Sequence, residues 1–135
     1  MGRSLLILLD THVVLWLGLE QGRLSKSALT AIDDARRRSR ALAISDVTLM
    51  EIAQLSHRRR IEFPVGLEAF LTEVESRFVV LPITGNIARQ AFLLPSSYPK
   101  DPADRVIGAT ALIEDLPLIT ADKEIRNSRA VPTIW

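Results

Sequence analysis

The 135 residues contain no cysteine, which excludes a disulfide framework and any thiolate ligand for a soft metal. Its absence agrees with a reducing compartment, so a cytoplasmic location is expected. Histidine is nearly absent too, with only His12 and His57. No serine or cysteine stands with a matched base beside either, so a triad hydrolase is disfavoured and His12 reads as structural. The glycines Gly2, Gly18, Gly22, Gly66, Gly85 and Gly108 are all isolated, which leaves no Gly-rich phosphate cradle. Long apolar runs are missing as well. The first, Leu5 to Leu9, is stopped by Asp10, no small-residue cleavage site follows the second, and no stretch is long enough to span a membrane. Gly2 does not make a myristoylation signal, since Leu6 stands where Ser or Thr is needed. A net charge of +1 does not by itself mark a nucleic-acid binder.

What is present is ordinary globular material, 47% hydrophobic and 24% charged, with a mean hydropathy of +0.17. A chain of this length is expected to form one domain over residues 1–135, burying about two-thirds of its unfolded surface. Short apolar runs alternate with helical patterns. A strand over Leu5–Leu9 leads to a helix from about Thr11 to Leu19, closed by Gly22. Ser25 caps a helix that ends among Arg36, Arg37, Arg38 and Arg40, and Leu42–Ile44 is a second strand. Ser45 or Asp46 caps the next helix, which runs out at His57-Arg58-Arg59-Arg60. Pro64 and Gly66 mark a turn. A helix over Leu67–Arg77, a strand over Val79–Ile83 and a helix from Thr84 to about Leu94 follow. Asp101 and Pro102 cap and open a helix through Ile113. Leu118–Thr120 is a strand, Asp122 starts a helical turn, and Val131–Trp135 is an edge strand. This alternation predicts a three-layer α/β/α sandwich, Rossmann-like, with a central parallel sheet covered on both faces.

Four acids, Asp10, Glu51, Asp104 and Asp122, sit where a buried run gives way to a turn or helix. Carboxylates carried into apolar surroundings are costly unless a cation meets them. In such sheets ligands bind beyond the carboxyl ends of the strands, where Asp10 and Asp122 fall. An all-oxygen ligand set suits Mg²⁺ or Mn²⁺, and the chemistry that follows most naturally is phosphodiester hydrolysis. Each acid also has a structural reading: Asp10 as a helix cap, Glu51 as a solvated helix residue, Asp104 as a favourable charge in a first helical turn, Asp122 as a turn former. Asp101 is the better cap for the helix that carries Asp104. Thr11, Ser45, Thr48 and Thr120 place hydroxyls near the acids, and Thr120 is the one expected to orient them. Trp16 is expected in the core.

The blocks Leu-Leu-Asp10-Thr-His-Val-Val-Leu-Trp16, Ile44-Ser-Asp-Val-Thr-Leu-Met-Glu51-Ile-Ala, Asp101-Pro-Ala-Asp104-Arg105 and Leu118-Ile-Thr-Ala-Asp122 resemble, in order and spacing, the signature blocks of PIN-domain nucleases. The subgroup most similar is the toxin half of bacterial VapBC-type toxin–antitoxin pairs. That resemblance covers essentially the whole chain and implies a PIN-like fold. It further implies metal ligation and catalysis by Asp10, Glu51, Asp104 and Asp122, with Mg²⁺ or Mn²⁺ as cofactor. The implied activity is endonucleolytic cleavage of single-stranded or loop-exposed RNA, leaving 5′-phosphate and 3′-hydroxyl ends. A homodimer is implied, silenced by a VapB-like antitoxin whose helix lies in an apolar groove and whose basic side chain reaches the acids.

The arginine clusters suit solvated helix ends, and Arg58, Arg59 and Arg60 also suit guidance of a polyanion. Apolar residues on the first helix (Val13, Leu15, Trp16, Leu17) and the third (Leu49, Ile52, Leu55) exceed what one buried face needs, so some of that surface is expected to meet another chain. Rival readings are a housekeeping PIN nuclease in RNA processing, a non-catalytic PIN scaffold, and a receiver or haloacid-type phosphatase. The last two lack their acidic partner near Asp10, where His12 stands.

Overall fold

A computed structural model describes residues 6–135; Leu5, and the N-terminal residues on which the secretion and lipidation readings rest, lie outside them. Five strands, β1 (Leu6–Leu9), β2 (Ala41–Ser45), β3 (Val79–Leu81), β4 (Leu118–Ile119) and β5 (Thr133–Ile134), form one sheet in the order β3-β2-β1-β4-β5. Every pairing is parallel, with Ile7 opposite Leu42, Leu8 opposite Leu118 and Ile44 opposite Val80. Seven helices connect them: α1 (Thr11–Leu19), α2 (Lys26–Arg37), α3 (Asp46–His57), α4 (Leu67–Arg77), α5 (Gly85–Ala91), α6 (Pro102–Glu114) and α7 (Lys123–Ser128). A 3₁₀ turn at Gln21–Arg23 follows α1.

The two-residue period of β1 sends its side chains into separate cores. Ile7 and Leu9 join Leu42, Ile44 and Ile119 under residues of α1, α2 and α4. Leu8 joins Ala43 and Leu118 under Ile107, Ala111 and Ile125 of α6 and α7. Both faces of the sheet are therefore covered, which is why its strands read as continuous apolar runs rather than alternating ones. The α/β/α layering matches the expectation from the alternating pattern.

Elements carried by polar punctuation fall where expected. Ser25 Oγ accepts from Ala28 N at 3.0 Å, Ser45 Oγ from Val47 N at 3.2 Å, Thr84 Oγ1 from Ile87 N at 3.2 Å and Asp101 Oδ1 from Ala103 N at 2.8 Å. Strand ends are shorter than the apolar runs that announced them, β3 stopping at Leu81 and β5 spanning only Thr133–Ile134. Pairing, not hydrophobicity, sets the strand limit, and an apolar run continues into the following loop. α5 likewise stops at Ala91 instead of continuing to about Leu94.

The apolar surplus of α1 and α3 is only partly taken up by their own core, since Trp16, Leu17, Leu49 and Leu55 stay half-buried. Val13, Leu15 and Ile52 are fully buried, and Trp16, Leu17, Leu49 and Leu55 pack against the same core. α1 is covered by the sheet on one side and by α4 on another, where a Cβ on Gly18 would meet the Phe70 ring at 3.2 Å. A helix packed on two sides needs a wide apolar arc for its own core. Among the described residues the exposed large apolar side chains are Phe92 (77%), Leu93 (60%), Leu112 and Ile113 around α5 and α6, Met50 on α3, and Val65, Val79 and Ile83.

Candidate active site

The strand order reverses beside β1, with β2 on one flank and β4 on the other, and this opens a crevice beyond their carboxyl ends. Asp10 leaves β1 there. Its backbone N donates to Ile119 O at 3.0 Å, extending the β1–β4 ladder by one step and bringing Thr120 level with it. Thr120 then donates its hydroxyl to Asp10 Oδ2 at 2.6 Å, while the other oxygen, Oδ1, accepts from Thr11 N at 2.8 Å as the cap of α1. The capping reading and the functional reading of Asp10 are thus compatible. One oxygen caps the helix, and the second is aimed by a buried hydroxyl.

Thr11 ties Asp10 to Glu51. Its single hydroxyl proton goes to Glu51 Oε1, so Thr48 Oγ1, 3.0 Å away, must be the donor to Thr11. The relay runs from Thr48 through Thr11 to Glu51 and joins α1 to α3. Of these hydroxyls only Thr120 is singled out by the sequence pattern. Thr11 and Thr48 are its equals, and the signal for them was their buried position beside Asp10 and one turn before Glu51. Ser45 serves only as the cap of α3.

Asp104 lies in the first turn of α6, and Asp122 caps α7, Oδ1 accepting from Glu124 N at 2.8 Å and Ile125 N at 3.1 Å. Thr120 Oγ1 also accepts from Asp122 N at 3.1 Å, so one hydroxyl bridges the first and fourth acids. The acids sense one another. Burial pushes the Asp104 carboxyl up to about 7, with repulsion from Asp10, Asp101, Glu51 and Asp122 adding to it. Burial also raises Glu51, against the Thr11 bond and with Asp10 and Asp101 adding to the rise. Asp10 is raised by burial despite the bonds from Thr120 and Thr11. Asp101, exposed and read only as a cap, contributes to the negative field on both Glu51 and Asp104.

Among the described residues the ion pairs join Glu20 to Arg23, Asp34 to Arg37 and Arg38, and Glu73 to Arg77, all at helix surfaces. None touches the four acids, and only the charge of His12 offsets Asp10 and Glu51 in part. Nor, among the described residues, do three acidic or imidazole side chains converge closely enough to ligate one ion together. The donor set still fits a hard cation: Mg²⁺ keeps several waters and takes one or two carboxylates directly, leaving the others to act through water. A softer metal has no thiolate ligand here.

Around the acids the chain is braced. Arg105, part of the Asp-Arg block, faces away from them and donates to the carbonyls of Ala91, Leu94, Pro95 and Tyr98 at 3.1–3.3 Å. It straps the 91–98 segment to α6. Tyr98, buried, donates its hydroxyl to Asp104 O at 3.0 Å and anchors the turn that carries Asp104. His12 is exposed rather than packed inside, and Arg58, Arg59 and Arg60 are exposed just beyond the end of α3.

We expect Thr11→Val, which keeps shape and removes the hydroxyl, to lower turnover about 10-fold or more, as loss of a carboxylate-orienting bond commonly does. Thr11→Ser should restore most of it. Equal rates for all three proteins in a steady-state cleavage assay would remove Thr11 from the site.

A parallel sheet in this order, with acids gathered at its reversal point, is a three-layer α/β/α fold of the Rossmann-like kind. The chain belongs to the PIN domain family, whose pattern it matches over residues 7–130. It is 36% identical over 131 residues to Ribonuclease VapC22 of Mycobacterium tuberculosis, covering 96% of this chain and 98% of that protein. Solved structures share the fold. VapBC2 from Rickettsia felis, bound to a DNA fragment from its promoter, superposes with a TM-score of 0.71 at 14% identity, covering 95% of this chain and 96% of that one. VapBC-5 of Mycobacterium tuberculosis does so with a TM-score of 0.65 at 21% identity, covering 96% and 98%.

Proposed function

We propose that this chain is a Mg²⁺- or Mn²⁺-dependent endoribonuclease and the toxin of a VapBC-type toxin–antitoxin pair, acting in the cytoplasm on single-stranded or loop RNA. The observation that carries the reading is the set of buried and half-buried, mutually repelling carboxylates at the β1–β4 crevice, which have no ion-pair partner among the described residues and feel only the His12 charge as a partial offset on Asp10 and Glu51. The 36% identity to a named ribonuclease over nearly the whole of both chains supports it. Negative charge of this density repels a bare phosphodiester, so RNA can approach only when a cation offsets it.

Asp10, Glu51, Asp104 and Asp122 would hold that cation. Bound there, the ion supplies Lewis acidity to the phosphodiester and to the attacking water. Thr120 and Thr11 keep Asp10 and Glu51 from rotating away, and the buried Thr48 keeps Thr11 in place. The Tyr98 hydroxyl and the Arg105 strap hold the first turn of α6, and with it Asp104. Arg58, Arg59 and Arg60 add exposed positive charge that guides RNA along α3.

A VapB-like antitoxin is the expected partner. Its helix would lie in an apolar groove, from which a basic side chain could reach the acids. Exposed Phe92, Leu93, Leu112 and Ile113 suit a second copy of the chain, giving a homodimer.

The test is direct. Purified protein, freed of any co-purifying partner, should cut single-stranded RNA with Mg²⁺ or Mn²⁺ to 5′-phosphate products and stop in EDTA. Cleavage that continues undiminished after chelation would overturn the metal reading. Failure to cleave any RNA, with no slowing of growth on expression, would overturn the toxin reading.

A further inference from the structure

Beside the acids stands a rank of rings that catalysis does not account for. His12, the residue after Thr11, places its imidazole 5.9 Å from the Trp16 ring, tilted by 51°. They are four apart on α1, so they lie one above the other on the same face. The Trp135 ring is 5.9 Å beyond Trp16, tilted by 53°. Arg23 lies over Trp16, its guanidinium carbon 4.8 Å from the ring centre. Trp135 follows Ile134, whose carbonyl accepts from Thr120 N at 3.2 Å, so it sits level with the residue that aims Asp10. The rank thus runs from the mouth of the crevice to the open β5 edge.

Core packing does not account for the whole of it. Trp16 and Trp135 rest one side on the core. Yet His12 is exposed, the Arg23 side chain is 57% exposed, and both tryptophans are only half-buried. The chain has two tryptophans, and both stand here. Unpaired bases stack on aromatic and imidazole rings and on guanidinium planes, and a duplex, whose bases are already stacked, cannot.

We propose that the His12–Trp16–Trp135 rank, with Arg23 over Trp16, is a stacking subsite for unpaired bases flanking the scissile phosphate, and so selects single-stranded over duplex RNA. The subsite rests on the ribonuclease reading above. Arg23 offers a cation to the phosphate of the stacked nucleotide as well as a plane to its base.

Both tryptophans belong to the subsite, so intrinsic fluorescence reports it. The measurement uses full-length Asp104→Asn protein, to prevent cleavage, titrated in Mg²⁺ buffer with a single-stranded RNA oligonucleotide, its duplex, and the same strand made abasic. The single strand should quench tryptophan emission. The duplex and abasic strand should not, and Trp135→Leu or His12→Ala should weaken single-strand binding about 10-fold. Unchanged emission on saturation with the single strand, or equal quenching by the abasic strand, would overturn the subsite. The quench of Asp104→Asn protein with both tryptophans in place decides even if Trp135→Leu misfolds. Wild-type protein that cuts RNA while its emission stays constant would sink the subsite and leave the nuclease standing, whereas no cleavage with either metal would sink the nuclease itself. If the protein encoded by a neighbouring antitoxin gene moves the emission and RNA does not, the rank belongs to that partner and the proposal is wrong.

Discussion

Asp104→Asn should abolish RNA cleavage, by more than about 100-fold, and at the same time make the metal-free protein more stable at pH 8. The two effects share a cause. The Asp104 carboxyl is pushed up to about 7 from an ordinary 3.8 by burial and by the repulsion of Asp10, Asp101, Glu51 and Asp122. Between those values the folded chain holds a proton that the unfolded chain has released, so stability falls as pH rises through the window. At pH 4 the unfolded carboxyl is only partly ionised and the folded one is protonated, so the wild type loses little. Above about 7 it is ionised in both states, and the folded state bears the full repulsion. Asparagine imitates the protonated form at every pH. Its advantage should therefore be small at pH 4, grow through the window and level off by pH 8. A shift of this size in a fully buried group corresponds to about 4 kcal/mol. Asp104 is only half-buried, so solvent screening leaves roughly 1–2 kcal/mol, or about 3–8 °C in melting temperature. Saturating Mg²⁺ should raise the wild-type melting temperature and shrink the gap, because the ion supplies the missing positive charge to the folded state alone. Melting curves at pH 4, 6 and 8 with and without Mg²⁺ check this. A variant that cleaves at the wild-type rate would remove Asp104 from the site, and one equally stabilised at pH 4 and pH 8 would refute the electrostatic cause.

Gly108→Ala should be among the most damaging single substitutions, although on helix propensity alone it is favourable by about 1 kcal/mol. A Cβ at that position would stand 2.3 Å from the Tyr98 hydroxyl oxygen and 2.6 Å from the ring carbon that carries it. The ring is 1% exposed and has no room to retreat. Its hydroxyl holds Asp104 O, so any displacement also releases the turn of α6 that presents Asp104. Overpacking and the lost buried hydrogen bond together cost roughly 2–4 kcal/mol. Cleavage should fall with stability, since the brace and the acid share one turn. A double-mutant cycle checks the cause: in a Tyr98→Ala background, with the ring gone, Gly108→Ala should become neutral or mildly stabilising. If it remains equally harmful there, the damage does not come from Tyr98.

The division between what the residues announce in order and what folding adds is visible in these same groups. Layering, strand count and most helix starts were legible because they depend on local chemistry: apolar runs of strand length, Ser25, Thr84 and Asp101 as caps, and Pro102 at a first helical turn. The placement of the four acids at the ends of buried runs was legible too, since each interrupts an apolar pattern. Strand ends such as Leu81 were not, because pairing with a neighbouring strand sets them and apolar runs do not stop there. Thr120 was expected to orient the acids, but which acid it meets, Asp10 across 110 positions, and the bond of Thr11 to Thr48 across 37, leave no periodic trace. How far the apolar surplus on α1 is covered was not legible, because a sequence shows how much of a helix is apolar but not how many neighbours cover it. Gly108 looked like an ordinary helical glycine until the Tyr98 ring was found across it. Local propensity and hydrophobic period belong to each segment alone; the aim of a carboxylate, and the repulsion that raises Asp104, exist only once the β1–β4 crossover brings distant segments to one crevice.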